Sequence, residues 1–484
     1  MNHRLLTAVA AAAITLSLSA DNEWLYIYRN DKAFHALPLS SVKDLRYQGN
    51  ENDGFTDLSF TADGSTMSLP LAAIDSCTLA PQVPIIHITL PDNPDMTELV
   101  NKEEYLRATV RVDGNGYCDD IAAWDTKIKG RGNTTWQFAK KPYRFKGDKK
   151  VALCGMKKAK SFALIANYLD PSLMRNTVAL WVANRLGMPF SNHSVPVMVY
   201  LNDNFKGAYM ATEKIGIGGG SVDIDETQGI LFELDINYDE PYKFHYYWND
   251  GAMNLPVMVK DPDLEEIAAL DTSGATTAND LLSLWQADFS AMADAVLTTP
   301  ADGDLTPYLD LESVVNYMIV NTIAGNNELD HPKSLYIYKE SRGSEARYHF
   351  GPVWDFDWAY NYSGLSEDAS PRNVTLISDG QTGNGCTFLK AICRNEAFMK
   401  LYRERWQQFI DEDYPALLSY MDSYATLIEP SAKLNGLTWP DDYSTSWAPA
   451  LSSYDYRDAY ATLRTWIEQH VAWCNAHPHL GLYR

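Results

Sequence analysis

Gly351-Pro352-Val353-Trp354-Asp355-Phe356-Asp357-Trp358-Ala359-Tyr360 is the stretch on which the fold turns. It reads as the end of a strand, with two carboxylates spaced two apart among aromatic rings. In an extended chain Asp355 and Asp357 point to one side. Two hard oxygen donors on one side suit Mg2+, which takes one or two carboxylates plus phosphate oxygens. The bland alternative is an acidic surface edge beside an aromatic strip. Against it, the flanking Trp354, Phe356 and Trp358 imply burial, and buried carboxylates need partners.

Immediately upstream lies Gly325-Asn326-Asn327-Glu328-Leu329-Asp330-His331-Pro332-Lys333-Ser334-Leu335-Tyr336-Ile337-Tyr338. A polar, acidic loop here joins a long apolar helix to a strand, and loops held by rigid elements commonly carry catalysis. Asp330 is placed to accept the proton of an attacking hydroxyl, and Lys333 to neutralise a transferring phosphoryl group. A solvated connection whose Asn and Asp only make turns is the competing reading.

The third cluster is Lys129-Gly130-Arg131-Gly132-Asn133-Thr134-Thr135-Trp136, followed by Lys140-Lys141-Pro142-Tyr143-Arg144-Phe145-Lys146. Glycines let backbone amides approach an anion, and Lys and Arg add charge. The pattern is neither a Walker A motif nor a full GxGxxG, so a plain basic hairpin fits as well.

The rest of the composition bounds the answer. A chain of 484 residues implies two or three domains. Hydrophobic residues make up 46%, which means a folded chain and excludes disorder. The formal charge of −23 excludes long-range attraction to nucleic acid or anionic membrane. It also repels nucleotides, except where a basic segment such as 127–160 or a divalent cation intervenes. Residues 1–20, with Arg4 ahead of an Ala-rich apolar run from Leu5 to Leu18, read as a secretory signal, too short for a membrane span. No other stretch approaches a spanning length. The expected location is exported: periplasmic, cell-surface or secreted. Cys77, Cys118, Cys154, Cys386, Cys393 and Cys474 are scattered without CxxC, which disfavours zinc. Disulfides are permitted but not required by the pattern.

Residues 22–80 read as a small β module with a weak repeat: Leu37-Pro38-Leu39-Ser40-Ser41-Val42 recurs as Leu69-Pro70-Leu71-Ala72-Ala73-Ile74. Strands are expected at 85–90, 106–112, 126–129 and from 142. A helix is expected over Pro171 to Leu186 with Asp170 as its cap, then a hairpin of Val195–Leu201 and Lys206–Ile215. Further on, helices are expected over 277–297, 311–323, 386–410 and 454–477, with strands at 335–339 and 348–353. The fold class is α+β.

In this order, GRGNTTW (130–136), KKPYRFK (140–146), NYLDPSLMRN (167–176), GAYMATEKI (207–215), NNELDHPKSLYIY (326–338) and GPVWDFDWAY (351–360) resemble the CotH family of atypical protein kinases. The likeness covers roughly residues 85–410. It implies a two-lobed kinase-like fold, with an N-lobe at about 85–225, a C-lobe at about 226–410 and a helical extension over 411–484. It also implies transfer of the ATP γ-phosphoryl group to Ser or Thr of a protein substrate with Mg2+ or Mn2+. By that resemblance Asp330 is the catalytic-loop Asp, with Glu328 its rival, and Asp355 is the metal-binding Asp assisted by Asp357. Lys141 is the expected phosphate-contacting Lys, with Arg144 second. Gly130, Arg131, Gly132 and Asn133 lie near the phosphates, and Glu213, also counted as nucleotide-binding, ends the strand where a kinase-like fold passes toward its hinge.

The sequence departs from the family pattern in two further ways. Ser334 stands near the place of an Asn that binds a second metal. The helix over 171–186 offers no Glu to pair with Lys141. Two other functions therefore compete: a catalytically inactive CotH-like binding or assembly protein, and a carbohydrate-active protein using paired carboxylates.

Overall fold

The computed structural model describes residues 23–31, 33–50, 54–62, 64–270, 277–361, 383–440 and 455–476. The export signal expected over residues 1–20 lies outside them. The chain packs as two compact units. The first draws on Met1–Lys129, Pro196–Tyr209 and Ser423–Pro440, and the second on Gly130–Val195, Met210–Asp422 and Asp441–Arg484.

The first unit begins with six strands: β1 (Glu23–Arg29), β2 (Phe34–Pro38), β3 (Lys43–Asn50), β4 (Gly54–Ala62), β5 (Ser65–Pro70) and β6 (Ile74–Pro81). They form two three-stranded sheets, β2-β1-β6 and β3-β4-β5. The sequence repeat is a structural repeat. Each Leu-Pro-Leu copy ends one strand, makes a single 3-10 turn (Leu39–Ser41, Leu71–Ala73) and starts the next. Pro38 and Pro70 hold φ at −54° and −56°, the value their rings impose. The third strand of each copy then crosses over: β3 pairs with β4 of the second copy, and β6 with β1 of the first. A lone two-stranded hairpin is marginal in water, and this exchange gives each sheet its third strand. Leu25, Ile27, Leu58, Phe60, Leu69 and Ile74 from both copies fill the shared core.

The same unit continues through β7 (Ile85–Thr89), β8 (Leu106–Asp113) and β9 (Ile121–Gly130), an antiparallel run in which Ile86 faces Val112 and Val110 faces Trp124. In β8 the alternation is explicit, with Ala108, Val110 and Val112 buried.

The second unit opens with β10 (Tyr143–Val151) antiparallel to β11 (Ala159–Ile165). Helix α1 (Arg175–Arg185) follows. It starts four residues later than the sequence predicts. Asp170 is the reason: its carboxylate accepts from the backbone N–H of Ser172, Met174 and Arg175 at 3.0, 2.8 and 2.9 Å. These bonds close a turn over 171–174 in which Leu173 is left-handed (φ 56°), which no helix tolerates. The chain then forms β12 (Val195–Leu201), parallel to β7, and β13 (Asn204–Glu213). Asn202 and Asp203, both at positive φ, make the two-residue turn that such a hairpin prefers. The last residues of β13 pair antiparallel with β11.

A five-stranded antiparallel sheet forms the second unit's other layer. Its order is β15 (Lys243–Trp248), β16 (Met253–Asp261), β14 (Ile230–Leu234), β17 (Leu335–Lys339) and β18 (Tyr348–Phe350). Only the last two were legible as strands in the sequence. The helices are α2 (Leu264–Ala268), α3 (Ala278–Thr298), α4 (Leu311–Ala324), α5 (Asn384–Cys393), α6 (Glu396–Gln408), α7 (Tyr414–Thr438) and α8 (Tyr456–Ala476). Thr277 and Asp280 cap α3 reciprocally, and Asp310 accepts from Ser313 N–H at 2.8 Å to start α4. The single helix expected over 386–410 is two. Asn395 divides it by accepting from Phe398 N–H at 3.0 Å while its amide donates to the Gly303 carbonyl at 2.7 Å.

The exchanged core makes a direct prediction. Phe60 is fully buried between the two copies. Phe60→Ala should destabilise the module by about 3–5 kcal/mol, the usual cost of a large core truncation. Limited proteolysis reads it: cleavage within residues 23–80 accelerates, whereas an unchanged pattern contradicts the shared core.

Candidate functional site

A cleft of about 270 Å³ lies wholly within the second unit. Its lining comes from the Arg131–Thr135 turn, Asn167 and Tyr168, α1, β14 and the loop after it, β16, the Glu328–Ser334 loop and the Trp354–Trp358 segment. Three cations line it (Arg131, Lys260, Lys333) against seven carboxylates (Glu233, Asp235, Asp239, Glu240, Glu328, Asp355, Asp357). Such a surface repels a free polyphosphate unless further cations enter.

The first turn of α1 fixes the acidic segment. Asn176 Oδ1 accepts from Phe356 N–H at 2.8 Å, and Asn176 Nδ2 donates to Asp357 Oδ1. Arg175 donates from Nη1 to the Asp357 carbonyl at 3.0 Å. The expected strand ends at Phe350, so extended-chain alternation is not what brings Asp355 and Asp357 together. Asp355 instead takes a left-handed conformation (φ 65°), which Asp tolerates better than most residues. Both carboxylates reach the cleft by that turn.

The loop after α4 is equally built. Asn326 donates to Asn321 Oδ1 at 3.0 Å and accepts from Glu328 N–H at 3.2 Å. Glu328 is thereby turned into the cleft, where its carboxylate lies 3.4 Å from the Lys333 ammonium. That ammonium also sits 5.6 Å over the Trp358 ring. Asp330, the expected catalytic Asp, does not line the cleft. Its Oδ1 accepts from Gly383 N–H at 2.9 Å and its carbonyl from Gly385 N–H at 3.1 Å. A Cβ on Gly383 would collide with Asp330, so the loop and the start of α5 are packed backbone to backbone.

On the opposite wall, Arg131 stacks its guanidinium 5.4 Å over Trp354, and its N–H donates to the Pro142 carbonyl at 3.1 Å. Gly132 is left-handed (φ 86°), and an added Cβ would strike Thr135 Oγ1, so the turn requires glycine. Gly132 and Asn133 line the cleft and Gly130 does not. Lys141 does not line it either: its ammonium donates to the Trp136 carbonyl at 2.8 Å and lies 5.2 Å over the Trp136 ring. Its neighbour Lys140 is fully buried and donates to the Ala166 carbonyl at 2.7 Å, a structural tie within the cleft wall. Arg144 is outside the lining, with its charge bearing on Arg131 and Lys214. Glu213 is buried elsewhere, accepting from His193 through both N–H (2.7 Å) and Nδ1 (2.6 Å).

Sequence reasoning missed the wall built by β14 and β16. Lys260 bridges Glu233 and Glu240 at 2.8 Å each, and Tyr336 donates its hydroxyl to Glu233 at 2.7 Å. Asp235 accepts from Asn237 N–H at 2.7 Å and Ser334 N–H at 3.1 Å. The available signal was a single Glu in the apolar run Ile230-Leu231-Phe232-Glu233-Leu234, since a charge in a buried strand must be paired.

The crowded carboxylates perturb one another. Burial, then the charge of Asp355, hold Glu328 well above the usual carboxylate range, against the pull of Lys333. Burial, then Asp355 and Asp170, raise Asp357, with Asn176 and Arg175 opposing. Asp235 is pushed up to about 6, chiefly by burial. Burial draws Lys333 down, but Glu328, Asp355 and Asp235 outweigh it and leave its affinity for the proton raised. A divalent cation relieves this repulsion, and Asp355 with Asp357 supply the two oxygen ligands Mg2+ favours. Among the described residues, no three His, Cys, Asp or Glu side chains form a ready metal cage. The remaining ligands would have to come from a bound polyphosphate or water.

Cys118 and Cys154 are disulfide-bonded, while Cys77, Cys386, Cys393 and Cys474 are free thiols. No described helix is long and apolar enough to cross a membrane.

Comparison with known proteins gives one family. The sequence model of the family described as CotH kinase protein matches residues 128–474, a span that includes every residue lining the cleft. The match starts later and runs further than the 85–410 suggested by the motifs alone. No curated protein matches the chain.

The raised Glu328 carboxyl has a stability consequence with a definite sign. A carboxyl whose folded affinity for protons exceeds its unfolded one loses native stability as pH rises from about 4.3 toward its raised value. Thermal melts in chelator should therefore show a smaller fall in Tm between pH 5 and pH 8 for Glu328→Gln than for the parent (pH limits set roughly by that window). Equal slopes would contradict the crowding.

Proposed function

The chain belongs to the CotH kinase protein family, and on that premise we propose that it is an exported kinase transferring the ATP γ-phosphoryl group to Ser or Thr of a protein substrate. One observation carries the reading: Glu328, Asp355 and Asp357 share a single cleft with Arg131 and Lys333. In a kinase-like arrangement the Arg131–Asn133 turn belongs to an N-lobe of about 85–225 and the Glu328–Trp358 segments to a C-lobe of about 226–410. Arg131 and the backbone amides of Gly132 and Asn133 bind the phosphates. Asp355 and Asp357 would hold Mg2+ or Mn2+. When bound, that ion supplies charge neutralisation between the phosphates, as in other phosphoryl transfers.

Glu328 takes the role expected of Asp330. The acceptor hydroxyl oxygen forms a bond to the γ-phosphorus as the bond to the β–γ bridging oxygen breaks. The hydroxyl proton passes to a Glu328 carboxylate oxygen, and ADP leaves with the bridging oxygen. Burial and the charge of Asp355 raise that carboxyl to about 8; with a divalent ion at Asp355 and Asp357 it would fall again, restoring the carboxylate form that accepts the proton. Lys333, beside Glu328, stabilises charge on the transferring group. A glycosidase leaves Arg131 and the glycine turn without purpose. The two disulfide-bonded cysteines support an oxidising compartment, as expected for an exported chain.

Transfer of labelled phosphate from ATP with Mn2+ or Mg2+ to a mixed protein acceptor tests this. Asp355→Ala should abolish transfer. Glu328→Gln should lower it by about 10²-fold or more, the usual contribution of a general base. Lys141→Ala should leave it within about twofold, since removing a group that touches no reacting atom changes little. Nucleotide binding without transfer by the parent chain would favour the inactive assembly protein instead.

A further inference from the structure

Ordinary protein kinases bridge the nucleotide phosphates with two metal ions, held by different residues of the catalytic segments. Seven carboxylates line the cleft here, and Lys260 already takes two of them, Glu233 and Glu240. Asp355 and Asp357 form one donor pair, and Asp357 is already tied to Asn176. Beside Glu328, one of the remaining acids, the loop supplies a cation. Lys333 reaches its ammonium to 3.4 Å from Glu328 and rests 5.6 Å over Trp358. Its backbone is held from the next residue, where Ser334 N–H donates to Asp235 at 3.1 Å. Ser334 itself is left-handed (φ 51°), which fixes the direction in which the chain leaves the loop.

We propose that Lys333 is a built-in replacement for the second metal ion, so that this cleft works with a single divalent cation. The inference rests on the phosphoryl-transfer reading and concerns how the same site is charged. An ammonium within ion-pair distance of Glu328 occupies the volume and the charge that a second divalent ion would take. A divalent ion entering there would have to displace that ammonium from Glu328, and from the charges of Asp355 and Asp235 that also hold it. Lys333 carries its charge without dissociating, so the cleft needs a lower free metal concentration than a two-ion site.

The readout is stoichiometry and needs no turnover. Mn2+ binding to the full chain is followed by electron paramagnetic resonance, with saturating non-hydrolysable ATP analogue (the imido form). The parent chain should bind one Mn2+ per nucleotide. Lys333→Asn removes the charge and adds an oxygen donor, and should raise the count to two. Lys333→Arg keeps the charge and should remain at one. Two ions in the parent overturn the inference while leaving the kinase reading intact. A single ion in Lys333→Asn, with nucleotide bound, also overturns it. A parent chain that binds no nucleotide overturns both readings together.

Discussion

Two side chains in the first turn of α1, Arg175 and Asn176, hold the Asp355–Asp357 segment, and the chemistry of the cleft follows from that grip. Asn176 accepts from Phe356 and donates to Asp357, while Arg175 donates to the Asp357 carbonyl. Without those bonds, Asp357 would be a buried carboxylate with no donor, and burying one unpaired costs several kcal/mol. Asp170 in turn ties the start of α1 through three backbone N–H groups. The acidic segment, the helix start and the loop before it are therefore one hydrogen-bonded body. Burial, and then the like charge of Asp355, raise Glu328 and Asp357 together, and a cation with a polyphosphate would relieve the repulsive part.

The parts of this arrangement that the sequence revealed are those whose signal is local. The two acids of WDFD sit two apart, and the Arg131–Asn133 turn sets glycines among basic residues; both can be read along the chain. The Leu-Pro-Leu repeat and the hairpin over 195–215 were legible for the same reason. Roles that depend on which way a side chain turns were not. Asp330 and Glu328 are two residues apart, and only the bonds from Asn326 and Gly383 decide that Glu328 faces the cleft. Lys141 and Arg144 were the expected phosphate contacts, yet Lys141 covers Trp136, Arg144 stays outside the lining, and their neighbour Lys140 ties a wall. β14 and β16 were missed because their near-continuous apolar runs lack the alternation of a half-exposed strand.

The N-terminal module has a separate logic. Its two copies complete each other's sheets, so neither is a folding unit alone. This is a way to stabilise a domain of some sixty residues, a size at which a single core is marginal. Its residues lie outside the stretch matched by the family model, which starts at residue 128. It carries none of the chemistry attributed to the cleft.

The most direct test of the account is the metal dependence of nucleotide binding, because seven carboxylates against three cations must repel a bare triphosphate. Calorimetric titration of the chain with ATP should give binding in Mg2+ that weakens by about tenfold or more in chelator, a difference of at least about 1.4 kcal/mol. Equal affinity in both conditions would mean that the acids do not face the phosphates through a cation, and the proposed site would be wrong.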